Sequence, residues 1–540
     1  MKKLVNLRYL DASHSGLQVM PRGIGELKKL HFLSDFVLYR VEGASIVELG
    51  GLQNLSSSLT IKNLQHVANG GEASMARLVD KQSIESLSLT WNDAGDIITS
   101  RDILDNLQPH VDLKCLHIYG YKATSFSNWL GCPLYCKMVQ LILCDCFNCN
   151  LLPPLGQLPS LQILQIEGFE ALMKISPEFY KRNDDTSLAP PFPSLEVLEI
   201  RNMPVMQEWG SSCPINAFPQ LKDLSLKDCD RLCDNLPSHL PDLGTLRIYG
   251  CDQLASSIPR ARSIYASGCK RMEFFGQHHF ELTESIVISS SCETLSCLSL
   301  YNFPNLQHLI MSGCKNLKSV VYTKVVCQHL KHIKLIDCPN LESFPLEGLL
   351  APNMTHLELE GCCNLKSLLD LRMNLPMLQH ISLKGCPGIE CVPGRSLPTN
   401  LMSLYIDHCA FSCICCSMER QSLSCLTTLS INGKYDDTIQ VFPAECLLPS
   451  SLTILSISNY PSLETLDCRG FVSLKCLQEL RIRQCPKLQR ITGQKLPAFL
   501  THLNIYQCTL FGELCHAKNW EIWSKVSHIP NISIDNNQVL

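Results

Sequence analysis

The sequence predicts an α/β repeat solenoid, and three features of its 540 residues lead to this fold class. The pattern L-x-x-L-x-L-x-x-C recurs along the chain, for example from Leu221 to Cys229 and from Leu401 to Cys409. The leucines in its x-L-x-L-x core alternate with period 2, which predicts a short strand with one buried face. The spacing is also regular, because 24 residues separate each successive pair among Cys314, Cys338, Cys362 and Cys386.

Copies of this pattern begin at many positions between Leu7 and Leu500, which identifies a leucine-rich repeat. Each predicted strand adds to a parallel sheet, and the remaining leucines fill the space behind it. No repeat can bury its apolar face alone, so neighbouring repeats must stack. The predicted architecture is a leucine-rich-repeat horseshoe, with a concave parallel β-sheet and a mostly irregular or short-helical convex side.

Variations in the repeat divide the chain into three predicted segments. Residues 1–58 hold the first repeats with a blurred stretch, and residues 59–508 form the solenoid, interrupted by a polar insert loop at 177–193. Around 298–317 two overlapping repeat registers stay open. Residues 509–540 follow the last copy of the pattern and predict a C-terminal cap, in which Trp520 and Trp523 cover the final repeat.

Composition narrows the class of protein. A formal net charge of −4 gives no electrostatic footprint for nucleic acid, and no apolar stretch is long enough for an integral membrane segment. The N-terminus lacks a signal peptide, and the 31 cysteines cannot all pair within one chain because their number is odd. We therefore expect reduced thiols and a cytoplasmic protein, with nuclear or membrane-peripheral pools open, that is monomeric in isolation.

The cysteine at the ninth position of the repeat predicts a small buried side chain whose S–H faces loop backbone groups. A metal site would instead need cysteines that converge as closely spaced pairs. Two denser clusters were considered for zinc. In the first, Cys144, Cys146 and Cys149, the last two already have packing positions in the repeat. The second cluster comprises Cys409, Cys413, Cys415 and Cys416, and zinc binding there stays a minor alternative.

Catalytic signatures were sought in the sequence and not found. It contains no phosphate-cradling G-x-x-x-x-G-K-[ST] loop, no G-x-S-x-G elbow and no H-E-x-x-H zinc motif. Several histidines fall at variable strand positions, where solvated or partner-facing surface is the simplest interpretation. We therefore predict no enzyme, and no catalytic, cofactor-binding or metal-binding residues.

A partner-binding surface is predicted on the concave face. In the frame L-x-x-L-x-L-x-x-C, the fifth, seventh and eighth positions point into or beside that face, and their residues vary while the framework stays constant. Tyr and Arg among them are types enriched at binding hot spots. An alternative stays open, since opposite charges such as Lys334 and Glu358, or Glu360 and Lys384, can simply neutralise each other across strands. The candidates are His117, Tyr119, Arg247, Tyr249, Lys334, Glu358, Glu360, Lys384, Tyr405, Asp407, Arg481, Arg483, Asn504 and Tyr506.

Particular segments resemble the C-terminal leucine-rich-repeat region of plant intracellular coiled-coil NB-ARC–LRR disease-resistance proteins. The segment CFNCNLLPPLGQLPSL at 146–161 is the most distinctive. Other similar segments are LRYLD at 7–11, IVELGGL at 46–52, FPSLE at 192–196 and HIPNI at 528–532. The resemblance spans nearly all 540 residues.

The resemblance implies a non-catalytic recognition module of a plant immune receptor, which senses a pathogen effector or a guarded host protein and restrains a nucleotide-binding domain. Family members carry that NB-ARC domain upstream, so ADP or ATP would bind there and not to this chain, which begins inside the repeats. Two possibilities stay open: Met1 is the true start of the protein, or the sequence comes from a truncated gene model. The alternatives are a substrate adaptor of an F-box-type ubiquitin ligase and a stand-alone truncated LRR protein. A secreted LRR protein ranks lower because no signal peptide is found.

Overall fold

The computed structural model describes most of the chain as two compact units, Met1–Gly276 and Gln277–Leu540. The described residues are 4–13, 15–39, 43–92, 97–181, 189–255, 258–272, 280–321, 326–344, 350–368, 371, 375–389, 397–407, 423–433, 438–443, 448–535 and 537–538. Both units are parallel β-solenoids, so the predicted repeat fold is confirmed. Each is described by itself below.

The first unit begins with two short strands, β1 (Tyr9–Leu10) and β2 (Phe32–Leu33), which pair in parallel. A main sheet follows, in which each strand pairs in parallel with the next repeat's strand. Its strands are β3 (Asp35–Val37), β4 (Ser57–Lys62), β5 (Ile84–Thr90), β6 (Cys115–Tyr119), β7 (Gln140–Cys144), β8 (Ile163–Glu167), β9 (Val197–Arg201), β10 (Asp223–Lys227), β11 (Thr245–Tyr249) and β12 (Ser263–Ser267).

Behind this sheet the first unit carries short helical elements, as the sequence predicts. Two are α-helices, α1 (Gly70–Ser74) and α2 (Ile97–Asn106). The 3-10 helices are Ile24–Glu26, Ile46–Gly51, Leu64–His66, Leu78–Asp80, Leu155–Gln157, Pro177–Phe179 and Gly210–Ser212. The last residues of the predicted insert loop, 189–193, rejoin the repeat, and Phe192 is fully buried. Part of that insert, 182–188, lies outside the described residues.

The stretch that looks blurred in the sequence still builds repeats. β3 pairs with β4, and the buried carboxylate of Asp35 forms an ion pair with Lys62, with Nζ 2.7 Å from Oδ1. The pattern is blurred because the register places Ser34 at the fourth position, where the next two repeats have Leu59 and Leu87, and Asp35 at the variable fifth position. β12 similarly continues the sheet although its repeat is short, with only 18 residues between Cys251 and Cys269.

The second unit has a main sheet of the same kind, with parallel neighbours throughout until a final antiparallel strand. Smaller strands interleave with it in the chain. The main-sheet strands are β13 (Ser285–Ser289), β15 (His308–Ser312), β17 (His332–Ile336), β19 (His356–Glu360), β21 (His380–Lys384), β22 (Ser403–Asp407), β23 (Thr428–Asn432), β25 (Ile454–Ser458), β27 (Glu479–Arg483), β29 (His502–Tyr506), β30 (Asn531–Ile534) and β31 (Asn537–Gln538).

The smaller strands form two further parallel sheets in this unit, which the sequence pattern did not predict. Several of them begin two residues after the leucine that follows the ninth-position cysteine by three residues. The sequence there reads L-x-S, as at Leu317 and Leu341. Two 3-10 helices, Leu300–Asn302 and Cys468–Phe471, accompany them. The strands are β14 (Cys297–Ser299), β16 (Ser319–Val321), β18 (Ser343–Phe344) and β20 (Ser367–Leu368), then β24 (Val441–Phe442), β26 (Thr465–Asp467) and β28 (Arg490–Thr492).

The two registers left open around 298–317 are resolved. β15 joins the main sheet between β13 and β17, so the repeat runs through Leu309 and Met311 to Cys314. Leu298 instead lies on β14, in the smaller sheet with β16. Both sets of leucines are buried, which is why the hydrophobic pattern alone could not choose between them.

The C-terminal segment contains α3 (Thr509–His516) and α4 (Trp520–Val526) before β30. Phe511, Cys515, Ile522 and Val526 supply the buried side chains of these helices. The prediction that Trp520 covers the last repeat is wrong, since 83% of its surface is exposed. It starts α4 and faces solvent, because the apolar residues two and six positions further on already fill the contact with the repeats.

Candidate protein-recognition surface

The solvent-facing side of each main sheet, here called the open face, follows from the strand geometry. Successive strand side chains point to opposite sides. In β19 the fourth and sixth repeat positions, Leu357 and Leu359, are fully buried. The third, fifth and seventh positions, His356, Glu358 and Glu360, are half-buried on the other side. The open face thus consists of three rows, the third, fifth and seventh positions of consecutive repeats.

The eighth position has a conformational role that differs from the prediction. Its backbone lies in the left-handed region, with φ of 54° at Asp228, 49° at Asp337 and 65° at Gly361. Glycine, asparagine and aspartate tolerate that region best, and these types recur at this position. The eighth residue therefore turns the chain out of the strand, and the third position takes its place on the open face.

In the first unit the predicted residues form two separate groups. His117 and Tyr119 lie on β6 with ring centroids 6.3 Å apart, edge to face, and burial lowers the pKa of His117 and raises that of Tyr119. Arg247 on β11 pairs with Asp223 and lies over the ring of Tyr265 at 5.9 Å. Five strand spacings separate β6 from β11, about 24 Å, so the structure does not bring the two groups together.

An apolar strip between these groups was missed by sequence reasoning. Ile142, Ile163 and Val197 are half-buried on β7, β8 and β9, and Ile163 pairs directly with Val197. Next to the strip Glu199 and Arg201 form an ion pair at 2.7 Å. The signal was available, because period 2 places the third position on the same side as the fifth.

In the second unit the charged candidates meet across strands. Lys334 pairs in register with Glu358, and Glu360 with Lys384, at N···O distances of 2.5 and 3.3 Å. Although burial opposes ionisation, hydrogen bonds and charge from Lys334 hold the pKa of Glu358 below its usual value. Lys384 also lies over the ring of Tyr405 at 5.1 Å. These ion pairs match the alternative interpretation, in which the charges neutralise each other across strands.

Asp407 does not contribute an exposed group, contrary to its place among the candidates. Only 1% of its surface is exposed, and its Oδ2 accepts a hydrogen bond from the backbone N–H of Cys386 at 3.1 Å. A buried backbone amide needs an acceptor, and the carboxylate of the next repeat supplies it. Asp407 therefore ties two repeats together and is not available to a partner.

The four candidates nearest the C-terminus do come together. Arg481 pairs in register with Asn504, and Arg483 with Tyr506. Glu479 accepts two hydrogen bonds from the Arg481 guanidinium, at 2.7 and 2.8 Å, and one from Asn504 at 2.6 Å. Arg483 and Tyr506 are exposed beside this network. The group presents a rigid polar centre with an exposed cation and an exposed aromatic ring.

A column of histidines occupies the third-position row of the second unit. His308, His332, His356 and His380 lie on four consecutive main-sheet strands and pair in register. Their ring centroids are 6.3, 5.5 and 4.3 Å apart in that order. The sequence shows the 24-residue repetition of histidine, but the prediction for the strand histidines was solvated or partner-facing surface, without a column.

The described cysteines are free thiols, and those described at the ninth repeat position are buried. Cys338 and Cys386, for example, are buried and donate to the carbonyl oxygen two residues earlier at 3.5 Å. In the first dense cluster Cys146 and Cys149 are fully buried, and Cys149 donates to Ala123 O at 3.0 Å. The second cluster lies outside the described residues. Among the residues that are described, no group of three or more His, Cys, Asp or Glu side chains is placed to hold a metal ion.

Within the described ranges, no helix combines the length and the hydropathy needed to cross a bilayer.

Comparison of the sequence with known proteins identifies similar leucine-rich-repeat regions. The sequence model of the R13L1/DRL21 leucine-rich repeats matches residues 46–169. The disease resistance RPP13-like protein 1 of Arabidopsis thaliana is 32% identical over 336 residues, covering 57% of this chain and 30% of that protein. Disease resistance protein RGA2 of Solanum bulbocastanum is 32% identical over 244 residues, covering 44% of this chain and 24% of that protein. The chain thus spans less than a third of the length of these relatives.

A solved structure supports the fold itself. The circular LRR protein CroV588 aligns with a TM-score of 0.52 over 89% of this chain and 70% of its own, at 15% sequence identity. At this low sequence identity, the similarity supports the fold and nothing further. Together with the R13L1/DRL21 match, the disease-resistance relatives confirm the resemblance found in the sequence. The chain is a leucine-rich-repeat region similar to those of plant NB-LRR disease-resistance proteins.

Proposed function

We propose that the chain is the protein-recognition region of a plant innate immune receptor and performs no catalysis itself. The observation that carries this proposal is the contrast between the two sides of the main sheets. The buried positions repeat leucine and isoleucine almost without change, whereas the open face carries a different set of side chains in each repeat. Relatives named as disease-resistance proteins supply the biological context.

A protein partner suits this surface better than a small molecule does. The open face extends over many adjacent strands, so contacts can be distributed along it, and a stable complex would bury roughly 1,200–2,000 Å². Tyr405, Arg481 and Tyr506 are of the residue types that dominate binding energy in such interfaces. Their neighbours are already paired within the sheet, which limits the cost of ordering them when a partner binds.

The partner in this proposal is a pathogen effector or a host protein that effectors modify. At rest the region would also restrain a nucleotide-binding domain, and ADP or ATP would be held by that domain. Such sensing would take place in the cytoplasm. Partner binding and restraint would compete if they use overlapping parts of the open face.

Direct binding to purified effectors tests the recognition proposal. The whole chain, immobilised on a biosensor, should bind particular effectors, and the double variant Y405S/R481S should weaken a genuine complex at least tenfold. The matched control is V472S, because Val472 is 77% exposed but lies outside the main-sheet strands. Binding that V472S weakens as much as Y405S/R481S would contradict recognition by the open face.

Restraint is tested separately by expressing the chain in trans in leaf tissue with an autoactive nucleotide-binding domain from a disease-resistance relative. The chain should reduce the resulting cell death. Cell death that is unchanged at matched protein levels would contradict the autoinhibitory part of the proposal and leave the recognition part standing.

A further inference from the structure

The histidine column has a geometry that no part of the proposed function uses. Neighbouring parallel strands are about 4.8 Å apart, so the four imidazoles span about 14 Å along the open face. They form a continuous row, since consecutive rings lie 4.3–6.3 Å apart. His308 is exposed and the other three are half-buried, so the edges of the row can reach a bound molecule.

The carboxylates nearest the column already have partners within the protein. Glu358 accepts from Lys334 at 2.5 Å and faces His332 Nε2 at 3.2 Å. Glu360 pairs with Lys384. Beyond the column on the β22 side, Asp407 is buried against a backbone amide.

Hydroxyl and amide groups complete the surroundings. His356 Nδ1 lies 2.9 Å from Thr355 Oγ1, and His380 Nδ1 lies 2.6 Å from Ser403 Oγ. On the β13 side Glu284 accepts from the amide of Gln307, which in turn accepts from Lys331. Within the described structure, the side-chain hydrogen bonds of His356 and His380 therefore go to hydroxyl groups, not to carboxylates.

This environment favours the neutral form of the rings. Burial lowers the pKa of His332, with partial compensation by Glu358. Burial also lowers the pKa of His356 and His380, and repulsion from the neighbouring histidine lowers each further. His332, His356 and His380 are therefore mainly uncharged at pH 7.5, and they gain positive charge as the pH falls below the usual histidine range.

We propose that the histidine column is a docking site for a carboxylate-rich segment of a protein partner, and that acidification strengthens the docking. The column would supply the charge complementarity, because Lys334 already engages Glu358, the carboxylate that faces His332, and the rings of His356 and His380 contact hydroxyl groups. A partner helix rises 1.5 Å per residue, so glutamates at i, i+4 and i+8 span about 12 Å and match the length of the row. This inference rests on the proposed function in taking the open face as the recognition surface.

The direction of the pH effect follows from linkage. Partner carboxylates raise the pKa of the rings they contact, so binding takes up protons. Affinity therefore rises as the pH falls through the raised pKa values, and it is independent of pH well above them. Each ring that becomes protonated on binding changes the affinity by up to tenfold per pH unit.

The test uses the whole chain and a fluorescent helical peptide with glutamate at i, i+4 and i+8, measured by anisotropy. We expect binding at least tenfold tighter at pH 5.5 than at pH 7.5, and no such gain for the same peptide with glutamine. The variant H356Q/H380Q should abolish the gain. H502Q is a matched control, because His502 occupies the third position of β29 and contacts its own preceding Thr501 Oγ1 at 2.9 Å, outside the column.

Three results would overturn the proposal: equal affinity at the two pH values, a gain that survives in H356Q/H380Q, or a gain that H502Q also loses. Equal pH-dependent binding of a single-stranded oligonucleotide would show a general polyanion surface and reject the assignment to carboxylates. Circular dichroism at pH 5.5 establishes that each variant is folded, and H332Q replaces the double variant if that one unfolds.

Ring NMR signals give an independent readout. The glutamate peptide should raise the pKa of His332, His356 and His380 and leave the ring signals of His502 unchanged, and identical changes in all of them would refute specific docking. The proposed function fails in a different way. Suppose that effectors bind at pH 7.5, that H356Q/H380Q binds them equally well, and that the glutamate peptide shows no pH-dependent binding. This outcome would reject the column as a docking site while supporting recognition by the open face.

Discussion

Lys81 offers a quantitative test of how the first unit is held together. Only 3% of its surface is exposed, and its Nζ donates to Leu49 O at 2.8 Å and to Leu52 O at 2.7 Å. These carbonyls lie at the end of the 3-10 helix Ile46–Gly51, where a cation is favourable. Burial nevertheless lowers the pKa of Lys81 to about 8, from 10.5.

The folded chain therefore binds this proton less tightly than the unfolded chain does. Between the two pKa values the unfolded state carries more protons, so the free energy of unfolding rises with pH over this window. From pH 7.5 to pH 10 the Lys81 contribution rises by roughly 2–3 kcal/mol, at about 1.4 kcal/mol for each pKa unit. Well below pH 8 the contribution is constant, because both states are protonated.

The perturbation is Lys81→Met, which removes the titrating group and the two hydrogen bonds. The lost hydrogen bonds cost about 1 kcal/mol each, and this cost hardly changes with pH. The difference in unfolding free energy between the native chain and K81M, measured by urea denaturation, should thus grow by roughly 2–3 kcal/mol from pH 7.5 to pH 10 in favour of the native chain.

Lys28→Met is the control because Lys28 is exposed in the same unit. Its difference from the native chain should stay constant over the same pH range, since an exposed amine has nearly the same surroundings in both states. A K81M difference that is flat with pH would refute the reasoning. It would mean that the two carbonyl groups fully compensate for the burial of the ammonium group.

Three further outcomes follow from the repeat geometry. D407A should destabilise the second unit by about 1–3 kcal/mol in urea denaturation, because it leaves the buried amide of Cys386 without its acceptor, whereas an equally stable D407A would contradict the bond. G361A should cost about 1–2 kcal/mol at a φ of +65°, with its Cβ against the Asp337 carboxylate; a thermal midpoint that does not fall would count against the left-handed turn. Thiol labelling followed by mass spectrometry should modify the exposed cysteines quickly and the buried ninth-position cysteines of each unit only on unfolding, and equal rates would refute the packing role. The exposed set is Cys136, Cys233, Cys297, Cys363, Cys425 and Cys476, and the buried set is Cys229, Cys251, Cys269, Cys314, Cys338, Cys362 and Cys386.

The framework of this protein was predictable because each repeat encodes its own strand. Leucines at the fourth and sixth positions determine which side is buried, and stacking forces the strands into register. The same reasoning predicts that Lys334 lies opposite Glu358, and the strand register confirms it. It failed at 298–317 because two sets of leucines satisfy the pattern, and only pairing with β13 and β17 distinguishes them.

The details of the open face were harder to predict for a physical reason. A side chain there is defined by neighbours about 24 residues away, and small differences in hydrogen bonding decide whether it faces outward. Asp407 occupies the same seventh position as the exposed Lys384, yet it turns inward to a backbone amide. Trp520 is likewise a large apolar residue in a cap, but smaller residues fill the contact first.

The histidine column shows where the two kinds of inference meet. Its register was implicit in the sequence, because the repeat length and the third-position histidines recur together. Its chemistry was not implicit, because the depressed pKa values arise from burial and from rings 4.3–6.3 Å apart, which only the stacked strands create. A solenoid can therefore acquire a collective property from residues that are unremarkable one at a time.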